Sequence, residues 1–179
     1  EAHESNPDGV VRHAAYPVRD RKPVEPNYAA EVRDGDFILC RCNAPLVSQC
    51  FRFLKAGRKA SIIGRDIGAG LVSTVKKLAG DPPCSVPVLV GRIDDWLAKE
   101  TAKEQAKRNP SEARLIALQD RADCLSCFTE GADSVAAVIA RIEAVFTDDK
   151  ASPGIRLASI HRAKGLEAKR VYFLMPEGA

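Results

Sequence analysis

The sequence predicts an α/β fold with a parallel sheet, and two segments carry that prediction. In the first, the apolar run Phe37 to Cys40 follows the turn signal Asp34-Gly35-Asp36, a helical pattern comes next, and Ala60 to Ile63 reads as another strand. A strand, a helix and a strand joined by short turns make a βαβ unit, with a right-handed crossover and parallel strands. In the second, the strand-like runs Ile155 to Ser159 and Arg170 to Leu174 flank the polar segment His161-Arg162-Ala163-Lys164-Gly165-Leu166-Glu167.

Each element has a local reason. Residues 1–34 are rich in proline and charge, with one short strand candidate at Gly9 to His13, and read as the entry to a domain that begins upstream. Phe37 to Cys40 is continuous rather than alternating, as a strand buried on both faces requires. Pro45 suits the first turn of the following helix, Leu46, Val47, Cys50, Phe51 and Leu54 recur at helical spacing, and Gly57 stops it. The segment Gly64-Arg65-Asp66-Ile67-Gly68-Ala69-Gly70-Leu71 leads into a helix ending near Lys77. It lacks the lysine–serine/threonine ending of a Walker A loop and the last glycine of a dinucleotide fingerprint. It is expected to hold Arg65 and Asp66 at a turn beside the sheet, its glycines permitting close helix approach.

Asp81-Pro82-Pro83 and Pro87 form a breaker, after which the pattern is helical to Phe146. Val90 to Lys107 carries Ile93, Trp96 and Leu97 on one side. Pro110-Ser111-Glu112 starts the next helix, with Leu115, Leu118, Ala122 and Leu125 as its stripe. A third runs from Asp133 to Val145, with Val135, Val138, Ile139 and Ile142 inward, and Asp148 to Gly154 returns the chain to the sheet. The charged face from Lys99 to Arg108 reads as solvated, with like-charge i,i+4 pairs Glu100–Glu104 and Lys103–Lys107. As a stripe for a DNA backbone, its mixed signs would cancel most of the field.

Composition narrows the class. With 179 residues and 45% hydrophobic content, the chain can bury one core, so one domain with an insertion is expected. A net charge of +3 permits polyanion binding but does not require it. No apolar run approaches a membrane span, and Glu1 is followed by polar residues rather than a signal-peptide core, so a soluble, cytoplasmic chain is expected. The start without methionine and the end at Pro176-Glu177-Gly178-Ala179 suggest a piece of a longer polypeptide. Cys40-x-Cys42 and Cys124-x-x-Cys127 have no nearby histidine of ligand type, so the cysteines read as apolar fillers with reduced thiols, and no metal site is expected.

The segment from His161 to Glu167 places cations and a glycine at a strand-to-turn junction, where backbone N–H groups and positive charge suit an anion. Glu167 is placed to accept from a hydroxyl, which suits a nucleotide. A surface loop with cations and a glycine turn fits the same local pattern.

Together with Asp36-Phe37-Ile38-Leu39-Cys40-Arg41-Cys42-Asn43-Ala44-Pro45-Leu46, this segment resembles motifs V and IV, respectively, of the UvrD/Rep-type superfamily 1 DNA helicases. The resemblance implies a RecA-like parallel sheet flanked by helices. Residues 1–80 would be the first part of the second motor domain, 81–150 a small helical insertion, and 151–179 the second part. It implies ATP and Mg²⁺ as cofactors, held mainly by a P-loop motor domain absent from this chain. Single-stranded or partly duplex DNA would be the partner, with translocation 3′ to 5′ and unwinding of duplex.

Carried over residue by residue, the resemblance makes Arg41 the catalytic arginine finger and an ATP contact. Gly165 is the γ-phosphate contact through its backbone, and Glu167 the ribose contact. Asn43, Arg65, Ser159, His161 and Lys164 are implied in DNA binding or in coupling nucleotide state to the strand. The alternatives are that Arg41 closes a sheet end by pairing with a carboxylate and that Arg65 is a surface ion-pair partner. The chain departs from the family at Cys40 and Cys42, where tyrosine and serine or threonine are usual, at Pro45-Leu46-Val47, which replace polar residues, and at Ala168, where an aromatic often follows the glutamate. It holds neither Walker motif nor the downstream arginine motif, so by itself it is not expected to hydrolyse ATP. A different class of function, a non-catalytic nucleic-acid-binding or regulatory module of RecA-like shape, is the main alternative; the motor half of a helicase-nuclease is a third.

Overall fold

A computed structural model describes residues 18–19, 22–23, 28–148 and 154–174. The strand candidate Gly9 to His13 and most of the loop after Asp148 lie outside the described residues. The chain divides into two compact units, residues 1–32 and 33–179. In the first, β1 (Val18–Arg19) pairs antiparallel with β2 (Lys22–Pro23), and α1 spans Tyr28–Glu31.

The second unit is the predicted α/β structure. Its elements are β3 (Phe37–Cys40), α2 (Asn43–Lys55), β4 (Ala60–Ile63), α3 (Arg65–Ala79), α4 (Val86–Gln105), α5 (Glu112–Thr129), α6 (Val135–Val145), β5 (Phe146–Thr147), β6 (Ile155–Ser159) and β7 (Val171–Leu174). The five strands form an all-parallel sheet in the order β5-β4-β6-β3-β7, flanked by helices. Register pairs Cys40 with both Ser159 and Leu174. Alternate residues of a strand face opposite ways. Phe37, Leu39, Ile63 and Ala158 therefore form one apolar cluster, against which Ala163, Leu166 and Ala168 pack. The small Ala168 thus lies against the sheet beside Leu166, which supplies apolar bulk at the same cluster.

α2 packs on β3, β4 and β6 and buries Leu46, Val47, Cys50 and Phe53. Phe53 takes the inward place that the spacing gave to Leu54, which is 41% exposed. Burial pushes the Cys50 thiol up to about 12 and raises the Cys124 thiol as well, so both behave as apolar fillers. All six cysteines are free. Phe128 of α5 is fully buried and meets Phe51 of α2 edge-on at 5.2 Å and Phe146 of β5 at 6.2 Å. This aromatic chain fastens the later helices to the sheet.

Several sequence expectations shift. Pro87 belongs to the first turn of α4 instead of a breaker, because a proline there lacks only an N–H that would have no helical acceptor. α3 starts at Arg65, so Gly68 and Gly70 lie inside a helix. A Cβ on Gly68 would sit 2.8 Å from Phe146 Cβ, so this glycine does permit close approach of α3 to β5. β5 itself is too short for any periodicity to reveal. At the end of α4 and just beyond it, the like-charge reading gives way to opposite-charge pairs three residues apart, Lys103 to Glu100 at 2.6 Å and Lys107 to Glu104 at 2.5 Å. Glu104 is buried and also accepts from the Ser111 N–H at 3.1 Å. The Lys107 bond, helped by that N–H, holds its carboxyl below the usual value.

Helix ends are satisfied partly by side chains from other elements. Arg92 of α4 donates to the Leu78 and Ala79 carbonyls ending α3, and Arg141 of α6 donates to Phe128, Glu130 and Gly131 at the end of α5. A cation at a helix carboxyl end suits both the orphan carbonyls and the dipole. Ser111 and Ser134 cap α5 and α6 locally by accepting from Arg114 and Ala137. Among the described residues, no helix is long and apolar enough to cross a membrane.

Candidate functional site

Because the strands are parallel, the loops leaving their carboxyl ends gather at one edge. The chain leaves β4 towards β5 on one side and leaves β6 towards β7 on the other. Such a divergence opens a crevice outside the carboxyl ends of the sheet, the usual ligand position in open α/β sheets. Residues 64–66 follow β4, 160–167 follow β6, and Arg41 follows the neighbouring β3.

This geometry collects most of the residues singled out from sequence. Ser159 ends β6 opposite Cys40, and the Ile160 N–H donates to the Cys40 carbonyl at 3.2 Å, so Arg41 leaves the sheet level with Ile160. Arg41, Arg65, His161, Lys164 and Gly165 are exposed in the segments that leave this edge, and the exposed Glu167 follows between Leu166 and Ala168, which pack on the sheet. The 160–167 turn is held by Arg162 and Ala163 N–H groups donating to the Ser159 carbonyl at 2.9 and 3.0 Å, and by Leu166 donating to Ala163 at 2.9 Å. Gly165 has φ of 78°, the left-handed region where a side chain is strained. Among the described residues, the N–H groups of His161, Lys164 and Gly165 have no backbone acceptor.

The ion pairs of the described residues leave out Arg41, His161, Lys164 and Glu167. Arg41 does not close a sheet end; Arg170 does that at the opposite edge, on Asp36. Arg65 stands in the surface ion pair named as its alternative, with Nε 4.0 Å from Asp148 Oδ2, while its N–H donates to Asp148 Oδ1 at 2.9 Å. Between the two loops, the Arg162 guanidinium pairs with Asp66 at the start of α3, tying them together.

Asn43 is placed differently from the others. Its N–H and its side-chain Nδ2 both donate to Asp120 Oδ2 at 3.0 Å, and the Ala44 N–H donates to Asp120 Oδ1 at 2.8 Å. Asp120 belongs to α5, far along the chain, and sequence reading missed it. The available signal was indirect: Cys42 is the N-cap of α2 and makes no side-chain capping bond, so the first N–H groups needed an acceptor from elsewhere. Asp66, Asp148 and Arg162 were likewise invisible as partners, because each pairing joins residues distant in sequence.

Among the described residues, no three His, Cys, Asp or Glu side chains gather as a metal site. The segments leaving this edge thus offer two kinds of group to a ligand: exposed cations with open N–H donors, and the exposed carboxylate of Glu167, which unlike Asp66 and Asp148 is outside the ion pairs of the described residues. The chain matches no protein-family model, no curated protein and no solved structure.

Proposed function

We propose that this chain is part of the second RecA-like motor domain of an ATP-dependent, cytoplasmic DNA helicase, acting on single-stranded or partly duplex DNA. One observation carries the reading. At the divergence of the sheet, an exposed Arg41 follows β3, and the turn after β6 holds the open N–H groups of Lys164 and Gly165 and runs on to the exposed Glu167.

Those groups fit a nucleoside triphosphate. A guanidinium stays charged near neutrality and spreads its donors over phosphate oxygens. Arg41 would neutralise charge developing on the transferred phosphoryl group. The Gly165 N–H would donate to the same phosphate, which its left-handed turn allows without strain. Glu167 would accept from a ribose hydroxyl. Bound Mg²⁺ offsets phosphate charge, and its ligands are assigned to the P-loop domain in the same polypeptide.

Coupling to DNA follows from shared backbone. Ser159, His161 and Lys164 belong to the same turn as Gly165, so a shift of that turn on cleft closure moves strand contacts and phosphate contact together. Arg65 enters through Asp66, the neighbour that Arg162 holds, and Asn43 through the start of α2.

The test is Arg41→Ala in the polypeptide that joins this chain to its P-loop domain. DNA-stimulated ATP turnover is expected to fall by about 10³-fold or more, with single-strand affinity within a few-fold of wild type. Turnover within a few-fold of wild type would remove Arg41 from the site. Absence of turnover in the wild-type protein, with strand binding that Arg41→Ala weakens, would favour the non-catalytic binding module.

A further inference from the structure

Only Arg41 and Cys42 separate β3 from α2, so whatever fixes the start of α2 fixes the root of the arginine. Cys42 has the extended backbone of an N-cap, φ −103° and ψ 156°, yet its thiol makes no capping bond. A thiol is a weak acceptor, where serine or threonine would cap from this position. The vacancy is filled from α5. Asp120 takes the N–H groups of the first two residues of α2 and the Asn43 side-chain amide, at 2.8 to 3.0 Å. A carboxylate at a helix amino end gains from both charge-assisted bonds and the dipole.

Asp120 is itself held on a long helix. α5 spans 18 residues, packs on α2, and is locked by Phe128 against Phe51. The same carboxylate occupies the positive end of α2, which leaves an incoming phosphate to Arg41 and to the N–H groups of the 160–167 turn.

We propose that Asp120 is the positioning residue of Arg41: it caps α2 in place of the side chain at position 42 and ties the helical layer to the nucleotide edge. The proposal rests on the functional reading above for the role of Arg41, while the cap itself does not.

The two parts separate experimentally. In this chain, amide exchange of Asn43 and Ala44 is expected to speed up at least about tenfold in Asp120→Ala, with the amides of Ile62 and Leu157 unchanged. Asp120→Asn, which keeps the shape and loses the charge, is expected in between. Adding Cys42→Ser to Asp120→Ala gives the Ala44 N–H a local acceptor, Pro45 in the next position having no N–H to offer, and is expected to return protection to Ala44 but not to Asn43. Unchanged exchange in Asp120→Ala would overturn the cap. In the polypeptide with the P-loop domain, Asp120→Ala is expected to lower kcat at least about tenfold with KM for ATP nearly unchanged, and Cys42→Ser to restore it. Faster exchange with wild-type kcat would reduce Asp120 to a structural cap and overturn the positioning role. A wild-type protein without turnover would overturn both that role and the helicase reading, while the exchange result would still decide the cap.

Discussion

At the amino edge of the sheet, Arg170 lays its guanidinium on Asp36 at 2.6 and 3.2 Å, and Asp36 is 4% exposed and also accepts from the Arg33 N–H at 2.7 Å. Arg156 donates to the Gly35 carbonyl at 3.0 Å and stacks over the Phe37 ring at 4.1 Å. In the segments that leave the carboxyl edge, Arg41, Lys164 and Glu167 are exposed and stand outside the ion pairs of the described residues. Arginine and carboxylate close the amino edge on a buried acid, whereas at the carboxyl edge Arg65–Asp148 and Arg162–Asp66 are surface pairs and Arg41 stands outside them. The difference locates bonded charge at the amino edge and leaves Arg41 and Lys164 at the carboxyl edge for the ligand of the proposed function, since a charge held in a bonded cluster is not available to a ligand.

That contrast can be broken by substitution. The largest stability loss is expected at Gly154, whose φ is 106° and whose added Cβ would lie 2.4 Å from the Lys59 carbonyl oxygen. Its own carbonyl accepts from the Gly35 N–H at 2.9 Å, so the strain has no room to relax. Gly154→Ala is expected to cost about 3 kcal/mol in chemical denaturation, from strain and overpacking together. Asp36→Ala comes next, at about 2 kcal/mol, because it strips Arg170 and the Arg33 N–H of a largely buried acceptor. Lys164→Ala and Glu167→Ala at the other edge are expected to stay within about 0.5 kcal/mol of wild type. Losses at the carboxyl edge equal to those at Asp36 would erase the distinction.

Much of this fold was legible because it depends on local chemistry. The unbroken run Phe37–Cys40, the stop at Gly57 and the Ser111 cap each act within a few residues, and each appears where the pattern put it. Failures arise where tertiary contacts decide. Phe53 replaces Leu54 inside because the helix is oriented by the sheet, and Pro87 starts a helix that its neighbours Pro82 and Pro83 seemed to forbid. The carboxyl edge was readable as a set of candidate residues, since the 160–167 turn is contiguous. Its partners were not: Asp120 reaches Asn43 across 77 positions, Arg162 reaches Asp66 across 96, and Arg170 reaches Asp36 across 134. From sequence, Cys42 reads as an apolar filler and as a departure from a resembled motif, not as a helix cap. In the structure that departure coincides with the carboxylate that caps α2 in its place.

The most direct measurement sets the two edges side by side in the polypeptide that carries the P-loop domain, reading ATP turnover and unfolding free energy for Arg41→Ala and Asp36→Ala. Arg41→Ala is expected to lose turnover by about 10³-fold or more at wild-type stability. Asp36→Ala is predicted to lose stability while its folded fraction turns over ATP within a few-fold of wild type. Arg41→Ala with normal turnover, or with a stability loss matching that of Asp36→Ala, would contradict the contrast between the edges.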